Sequence, residues 1–250
     1  MVPAGFERLL LGHAVAIARS DLAPAVRQML VSADGTRCTL HEYAERHPSA
    51  RALTGRGAAY AVPMPGARRE RIVVRHNRHG GLFAPLTRDV FLAPTRAPYE
   101  LEVSRSLARL GIPTPEIVAF ALYPPGGIAQ RADVCSLEIA NAHDLADVVL
   151  RGHEAARTAA LRAAAELVVS LSRAGARHHD LNAKNVLIAD TAYVLDVDRV
   201  VLGAEPGAAL TANLARLTRS LRKWRDRFGA RLSDADILEL NRLVTSTGHR

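Results

Sequence analysis

The stretch His178-His179-Asp180-Leu181-Asn182-Ala183-Lys184-Asn185 constrains this chain more than any other. Eleven residues after Asn185 comes a second acid, at the end of the apolar run Tyr193-Val194-Leu195-Asp196. The pattern is His-x-Asp-Leu-x-x-x-Asn, followed by a short strand that stops on Asp. Its four fixed letters arise by chance in roughly one chain in a thousand at average residue usage. The competing reading is a pair of loop carboxylates that cap helices. The spacing and the strand before Asp196 favour a site built from Asp180, Asn185 and Asp196.

Composition narrows what surrounds such a site. A 250-residue chain holds one bilobal domain or two small ones, and 48% apolar residues suffice for a core. Cys38 and Cys135 are the two cysteines, far apart and without metal-ligand neighbours, which fits a reducing compartment and no disulfide scaffold. The run Leu9–Ala18 is too short to span a bilayer and lacks the flanks of a signal peptide, so a core helix is expected there. The formal charge is +8, and lysine occurs only as Lys184 and Lys223. Arg68, Arg69, Arg71, Arg75, His76, Arg78 and His79 cluster, which suits phosphate, an anionic lipid or nucleic acid; a solvated basic hairpin is the alternative. Aromatic residues make up 4%, so no stacking platform for single-stranded nucleic acid is expected.

Along the chain, residues 1–50 read as short helices and turns. Gly55-Arg56-Gly57 opens an alternating segment, Ala58–Val62, which pairs across a Pro/Gly turn with Arg71–Arg75 as a hairpin. Pro98–Leu110 is predicted helical, with Gly111 just past its end. Ile117–Leu122 and Val134–Ile139 are predicted strands around a Pro/Gly turn. Leu161, Ala164, Val168 and Leu171 recur at helical spacing before His178. Short strands Val186–Ile188 and Tyr193–Leu195 flank the loop to Asp196. Helices close the chain, the last opening at Ser233-Asp234-Ala235-Asp236.

The signature resembles the catalytic loop and metal-binding Asp of the protein-kinase-like fold. Other strings resemble bacterial lipopolysaccharide core kinases, most of all the 3-deoxy-D-manno-octulosonic acid (Kdo) kinases. They are Gly55–Ala59, Val73-Val74-Arg75-His76 leading to Gly80-Gly81-Leu82, Gly111-Ile112-Pro113-Thr114-Pro115 and Asn213–Leu221. The resemblance spans roughly residues 53–225. It implies an α+β bilobal fold with a small β-rich N-lobe (about 50–139), a hinge (about 138–144), a short helical C-lobe (about 145–250) and an N-terminal extension (1–50).

It also implies roles. Asp180 orients and deprotonates an acceptor hydroxyl, and Asn185 and Asp196 hold Mg2+ on ATP phosphates. Gly55, Arg56 and Gly57 approach those phosphates. No lysine precedes Lys184, so Arg75 takes the place of the strand lysine and faces Glu100, with Glu102 as the neighbouring alternative. The carbonyl of Glu138 and the amide of Ala140 face adenine, and Asp144 lies near the ribose. Lys184 either reaches phosphate or acceptor, or stays a loop lysine. Asp198 either adds a metal or acceptor carboxylate, or pairs with Arg199. His178 is expected to scaffold the loop, and His179 either faces the acceptor or is simply exposed.

The chain after Asp196 lacks an Ala-Pro-Glu string and the long peptide platform of a protein kinase, so a sugar hydroxyl is the expected acceptor. The resemblance names a Kdo-bearing lipid A precursor, an anionic glycolipid, met by a peripheral protein on the cytoplasmic face of the inner membrane. No nucleic acid is expected as partner. The alternatives are a kinase of heptose, an aminoglycoside or another small molecule, a pseudokinase, and a basic binding module.

Overall fold

A computed structural model describes residues 2–31, 34–53, 59–66, 70–76, 91–92, 95–123 and 129–248; at 91, 92, 129, 130, 247 and 248 it describes the backbone alone. The chain divides into two units, residues 1–102 with 116–138, and residues 103–115 with 139–250.

The first unit is an antiparallel sheet. Its strands are β1 (Phe6–Leu10), β2 (Val15–Arg19), β3 (Arg51–Leu53), β4 (Ala59–Pro63), β5 (Arg71–His76), β6 (Phe91–Leu92), β7 (Ile117–Tyr123) and β8 (Ala129–Leu137). The order is β1-β2-β7-β8-β5-β4-β3, with β6 also on β8. β7 is apolar throughout because both faces of the sheet are covered. Val118, Ala119 and Ala121 join one core with helices α1 (Ala23–Leu30) and α2 (Leu40–Arg46). Ile117 and Phe120 join another with Ala97 and Leu101 at the start of α3 (Ala97–Arg109).

Residues 1–50 differ from expectation. Leu9–Ala18 is not a core helix but the middle of the β1–β2 hairpin, which turns at Gly12 (φ 72°). Alternation decides: Ala16 and Ala18 lie in one core and Ile17 in the other. β2 then pairs with β7, so the hairpin extends the main sheet. α2 opens with a capping box, in which Thr39 Oγ1 accepts the Glu42 N–H (3.0 Å) and Glu42 accepts the Thr39 N–H (2.8 Å). Beside it the fully buried Asp133 accepts the His41 N–H (3.0 Å) and meets His76 Nδ1 at 2.5 Å. Burial, and then the Asp133 charge, push the Tyr123 phenol up.

The expected strand Val134–Ile139 is also corrected: β8 runs Ala129–Leu137. Glu138 donates its N–H to Arg71 (2.9 Å), and the chain then leaves the sheet, with Asn141 left-handed at φ 55°.

The second unit holds α4 (Leu145–Arg151), α5 (Glu154–Arg173), α6 (Pro206–Phe228) and α7 (Asp234–Gly248). Its strands are β9 (His143–Asp144), β10 (Arg177–His178), β11 (Val186–Ile188), β12 (Ala192–Val194) and β13 (Val200–Val201). β12-β11-β9 form one small sheet and β10-β13 another. The periodic residues Leu161, Ala164, Val168 and Leu171 of α5 are all buried, in a core with Leu217 and Leu221 of α6 and Leu240 and Val244 of α7. Truncating the fully buried Leu171 to Ala would cost about 2–5 kcal/mol. Ser233 caps α7: its Oγ accepts the Asp236 N–H at 3.1 Å, and Asp236 accepts the Ser233 N–H at 2.8 Å. Among the described residues no helix is long and apolar enough to cross a membrane.

Candidate active site

In the second unit, α5 delivers the chain through Gly175 (φ 62°) to β10 and the loop at Asp180. His178 is fully buried. Its Nδ1 accepts the Asp180 N–H at 3.0 Å, which assigns the proton to Nε2, 2.9 Å from the Leu195 carbonyl. Burial pulls its pKa below the ordinary value. A neutral imidazole with both nitrogens engaged is a brace between the Asp180 loop and the end of β12, as expected, and not a base.

The Asp180 carbonyl in turn accepts Nδ2–H bonds from Asn182 (3.0 Å) and Asn185 (2.9 Å). Asn182 Oδ1 accepts the Lys184 N–H at 2.9 Å, closing the turn that carries Asn185.

The eleven-residue spacing now has a physical cause. β11 and β12 pair with Val186 opposite Val194, and the Asn185 carbonyl accepts the Leu195 N–H at 2.9 Å. Asp196 follows at once, exposed and left-handed (φ 53°). The hairpin register therefore sets Asn185 beside the residue before Asp196. With Nδ2 tied to Asp180, Asn185 keeps Oδ1 as an acceptor. Among the described residues, neither that oxygen nor the Asp196 carboxylate accepts a hydrogen bond from the protein. Two available oxygen donors suit magnesium, which is bound through one or two protein oxygens and completed by phosphates and water. No group of three or more His, Cys, Asp or Glu able to hold a metal occurs among the described residues.

Two supports were missed as functional residues, although their strings stood out in the sequence. Asn213, fully buried on α6, accepts the His178 N–H and donates to the Ala176 carbonyl, both at 3.0 Å. Two turns along the same helix, Ser220 Oγ accepts the Ala183 N–H at 3.0 Å. The other is the Pro113-Thr114 stretch: the Pro113 carbonyl accepts the Val194 N–H and Thr114 Oγ1 donates to the Val194 carbonyl, both at 2.9 Å. Neutral groups bonded to backbone carry no signal in composition or charge.

Lys184 is not a loose loop lysine. Its Nζ lies 2.9 Å from Asp144 Oδ2 and 5.4 Å from the Trp224 ring centre. Asp144 also caps α4, its Oδ1 accepting the Asp147 N–H at 2.8 Å. Asp198 lies 3.5 Å from Arg199 Nε, and His179 is exposed.

In the first unit, Arg75 forms an ion pair with Glu100 in the first turn of α3. Glu100 is buried and Glu102 exposed, so the pairing selects the former. Glu100 Oε2 has no hydrogen-bond partner among the described residues. The Glu138 carboxylate is held by Arg71 Nε at 2.7 Å and by Arg51. Ala140, in the second unit, is exposed. Gly55, Arg56 and Gly57 lie outside the described residues, as do Gly80, Gly81 and Leu82.

The basic cluster at 68–79 is corrected in part. Arg71, Arg75 and His76 each lie against an acid, Glu138, Glu100 and Asp133, so they are not a solvated basic hairpin. Arg68, Arg69, Arg78 and His79 lie outside the described residues.

An acid in a braced loop followed by an Asn–Asp oxygen pair, and a strand cation paired with a helix glutamate, define an α+β, protein-kinase-like phosphotransferase. Residues 46–243 match the sequence model of the lipopolysaccharide kinase (Kdo/WaaP) family. The 3-deoxy-D-manno-octulosonic acid kinase of Vibrio vulnificus (strain CMCP6) is 32% identical over 190 residues, 73% of this chain and 77% of that one. Its namesake from Xanthomonas oryzae pv. oryzae (strain PXO99A) is 34% identical over 194 residues, 75% of each. The chain belongs to the lipopolysaccharide kinase (Kdo/WaaP) family, and is a sugar kinase of lipopolysaccharide core biosynthesis. A solved structure, "WaaP in complex with acyl carrier protein", shares the fold at TM-score 0.51 and 20% identity, covering 82% of each chain.

Proposed function

We propose that the chain transfers the γ-phosphoryl group of ATP to a hydroxyl of a Kdo sugar on a lipid A precursor. The observation that carries the chemistry is the hairpin register that sets Asn185 beside Leu195-Asp196, with Asp180 braced by His178. Phosphoryl transfer needs a positioned nucleophile and neutralised phosphate charge more than covalent work by the protein. Asp180 orients the acceptor hydroxyl and takes its proton, worth about 10² to 10⁴ in rate. Asn185 Oδ1 and the Asp196 carboxylate hold Mg2+, which when bound neutralises phosphate charge.

Arg75, steadied by Glu100, meets phosphate with its planar fork. Gly55, Arg56 and Gly57 supply a close backbone approach to phosphate. The Glu138 carbonyl and the Ala140 amide read adenine, neither engaged by another backbone group among the described residues. Asp144 serves the ribose side, and Lys184, paired with it, is steered by that carboxylate. We take the first unit as N-lobe, 138–144 as hinge and the second unit as C-lobe. The protein works peripherally at the cytoplasmic face of the inner membrane, where such an acceptor is made.

The test offers ATP and magnesium with purified Kdo-lipid A precursor, and separately with a generic protein substrate. Phosphate is expected on the sugar. Phosphate on protein and never on glycolipid would overturn the acceptor. Mass spectrometry of the core from a deletion strain, lacking one phosphate on Kdo, is the matching test in cells.

A further inference from the structure

The β10–β13 ladder lies where the two reacting segments meet. The His179 N–H donates to the Arg199 carbonyl (2.8 Å) and the Arg199 N–H to the Asp196 carbonyl (3.0 Å), so Asp180 and Asp196 flank one end of it. Arg177 pairs with Val201, and His178 with Val200. Successive side chains of a strand point to opposite faces. His178 and Val200 are buried on one face. Arg177 and Val201 share the other, and Val201 is 47% exposed, so that face meets solvent. Alternation continues the same face to His179 and Arg199, both exposed.

Arg177 is the unusual member of this face. It is half-buried, and its Nε is buried with no hydrogen-bond partner among the described residues. No acid among the described residues pairs with its guanidinium. Asp198 and Glu205, on either side of β13, are engaged elsewhere. Asp198 lies 3.5 Å from Arg199 Nε, and Glu205 accepts the N–H groups of Gly207 and Ala208 at the start of α6. A charged donor that is buried and unpaired destabilises a fold, and native structures keep such a group where function uses it.

The backbone beneath this side chain is fixed. Asn213 bonds the chain on both sides of Arg177, at the Ala176 carbonyl and the His178 N–H, both at 3.0 Å. The guanidinium is thus carried by the brace that also places Asp180. Nε and one Nη form the side-on fork of a guanidinium, whose two parallel N–H groups match the two oxygens of a carboxylate. Three residues of extended chain put Arg177 at most about 10 Å from Asp180. The acceptor proposed above is a sugar acid, and one such sugar with the arginine stem spans that distance.

We propose that Arg177 binds the carboxylate of the acceptor sugar and makes the enzyme select acidic sugars over neutral ones. This rests on the Kdo acceptor proposed above. The phosphates of lipid A are the other anions on that acceptor, and the test separates them.

Transfer from ATP is measured with the Kdo-lipid A precursor, with that acceptor after its carboxyl is reduced to the alcohol, and with the precursor stripped of its lipid A phosphates. The parent is expected to lose on the order of 10- to 100-fold in kcat/KM on the carboxyl-reduced acceptor, the range of one charge-assisted pair. Arg177→Met is expected to show the same loss on the acidic acceptor, in KM for acceptor more than in kcat, with KM for ATP unmoved. On the carboxyl-reduced acceptor the gap between parent and variant is expected to close. Arg177→Lys is expected to recover part of the loss, since it keeps the charge and not the fork. Removing the lipid A phosphates is expected to leave the gap as it was.

Stability is the second readout. Arg177→Met strands no acid, so its urea midpoint is expected to equal or exceed the parent's. A lower midpoint with equal loss on both acceptors marks a structural arginine and would overturn the proposal. So would a gap that persists on the carboxyl-reduced acceptor, or one that vanishes with the lipid A phosphates instead. If the parent phosphorylates no Kdo acceptor, the proposed function fails. Calorimetry with deacylated Kdo oligosaccharide, acidic and carboxyl-reduced, then still decides whether Arg177 reads the carboxylate.

Discussion

Asn213 reaches from the core to the His178 backbone, accepting its N–H at 3.0 Å while donating to the Ala176 carbonyl at 3.0 Å. One amide thus fixes the chain on both sides of Arg177, three residues before Asp180. Asn213→Ala leaves two buried backbone groups without partners, at about 1–3 kcal/mol each. The variant is expected to lose kcat more than KM, because Asp180 loses its placement while the nucleotide contacts remain. Steady-state kinetics beside urea unfolding checks this; a variant with a normal kcat would show that the brace is dispensable.

Arg75 and Glu100 are unequal partners, the glutamate side chain being 3% exposed and the arginine 30%. Arg75→Ala strands a buried carboxylate, and a loss near the low end of about 3–5 kcal/mol is expected. Arg75→Met combined with Glu100→Leu is expected to recover most of that stability and none of the activity. Urea midpoints of the two variants decide; equal midpoints would mean that Glu100 is not destabilising when alone.

Asp196→Asn is expected to fold as the parent does. Asn tolerates the left-handed backbone, and no protein hydrogen bond to the carboxylate is lost among the described residues. Magnesium-dependent transfer is expected to fall by about 10² or more, since a charged metal ligand is gone. Undiminished activity with an unchanged melting curve would remove Asp196 from the site.

His178 is held below the ordinary histidine value near 6.5 by burial. The unfolded chain titrates near that value. As pH falls through about 6.5 the unfolded state takes up a proton that the folded state refuses, so stability falls. The loss ends once the folded value is passed. Its slope is at most about 1.4 kcal/mol per pH unit for one group. His178→Gln is expected to flatten that part of the profile. Urea unfolding across a pH series, without nucleotide or metal, checks it; parallel profiles would exclude His178 as the source.

The parts legible in the sequence were those whose signal is local. Asp180, Asn185 and Asp196 carry reactive letters at fixed spacing, and Leu161 to Leu171 repeat with the helical period. Glu100 was reached through the family resemblance with Glu102 as its alternative, and the ion pair with Arg75 is made by Glu100. The Leu9–Ala18 run misled because a short, small-residue apolar stretch fits either period, and only its pairing with β7 settles it. The pairing of Arg71 and His76 was not legible because their partners are remote, with Glu138 and Asp133 lying 67 and 57 positions away. Asn213 and Ser220 act on backbone, which sequence does not display.

The β1–β2 hairpin bears on how this protein can be handled. The family match begins at residue 46, so trimming to that boundary is an obvious choice for a minimal active fragment. Such a fragment would lose β1, β2, α1 and α2. It would uncover an unpaired edge along β7 and the apolar face formed by Val118, Ala119 and Ala121. A bare, flat, apolar edge strand is a template for joining other chains. The shortened protein would precipitate or stack on itself, and its silence in an assay would be mistaken for a missing activity.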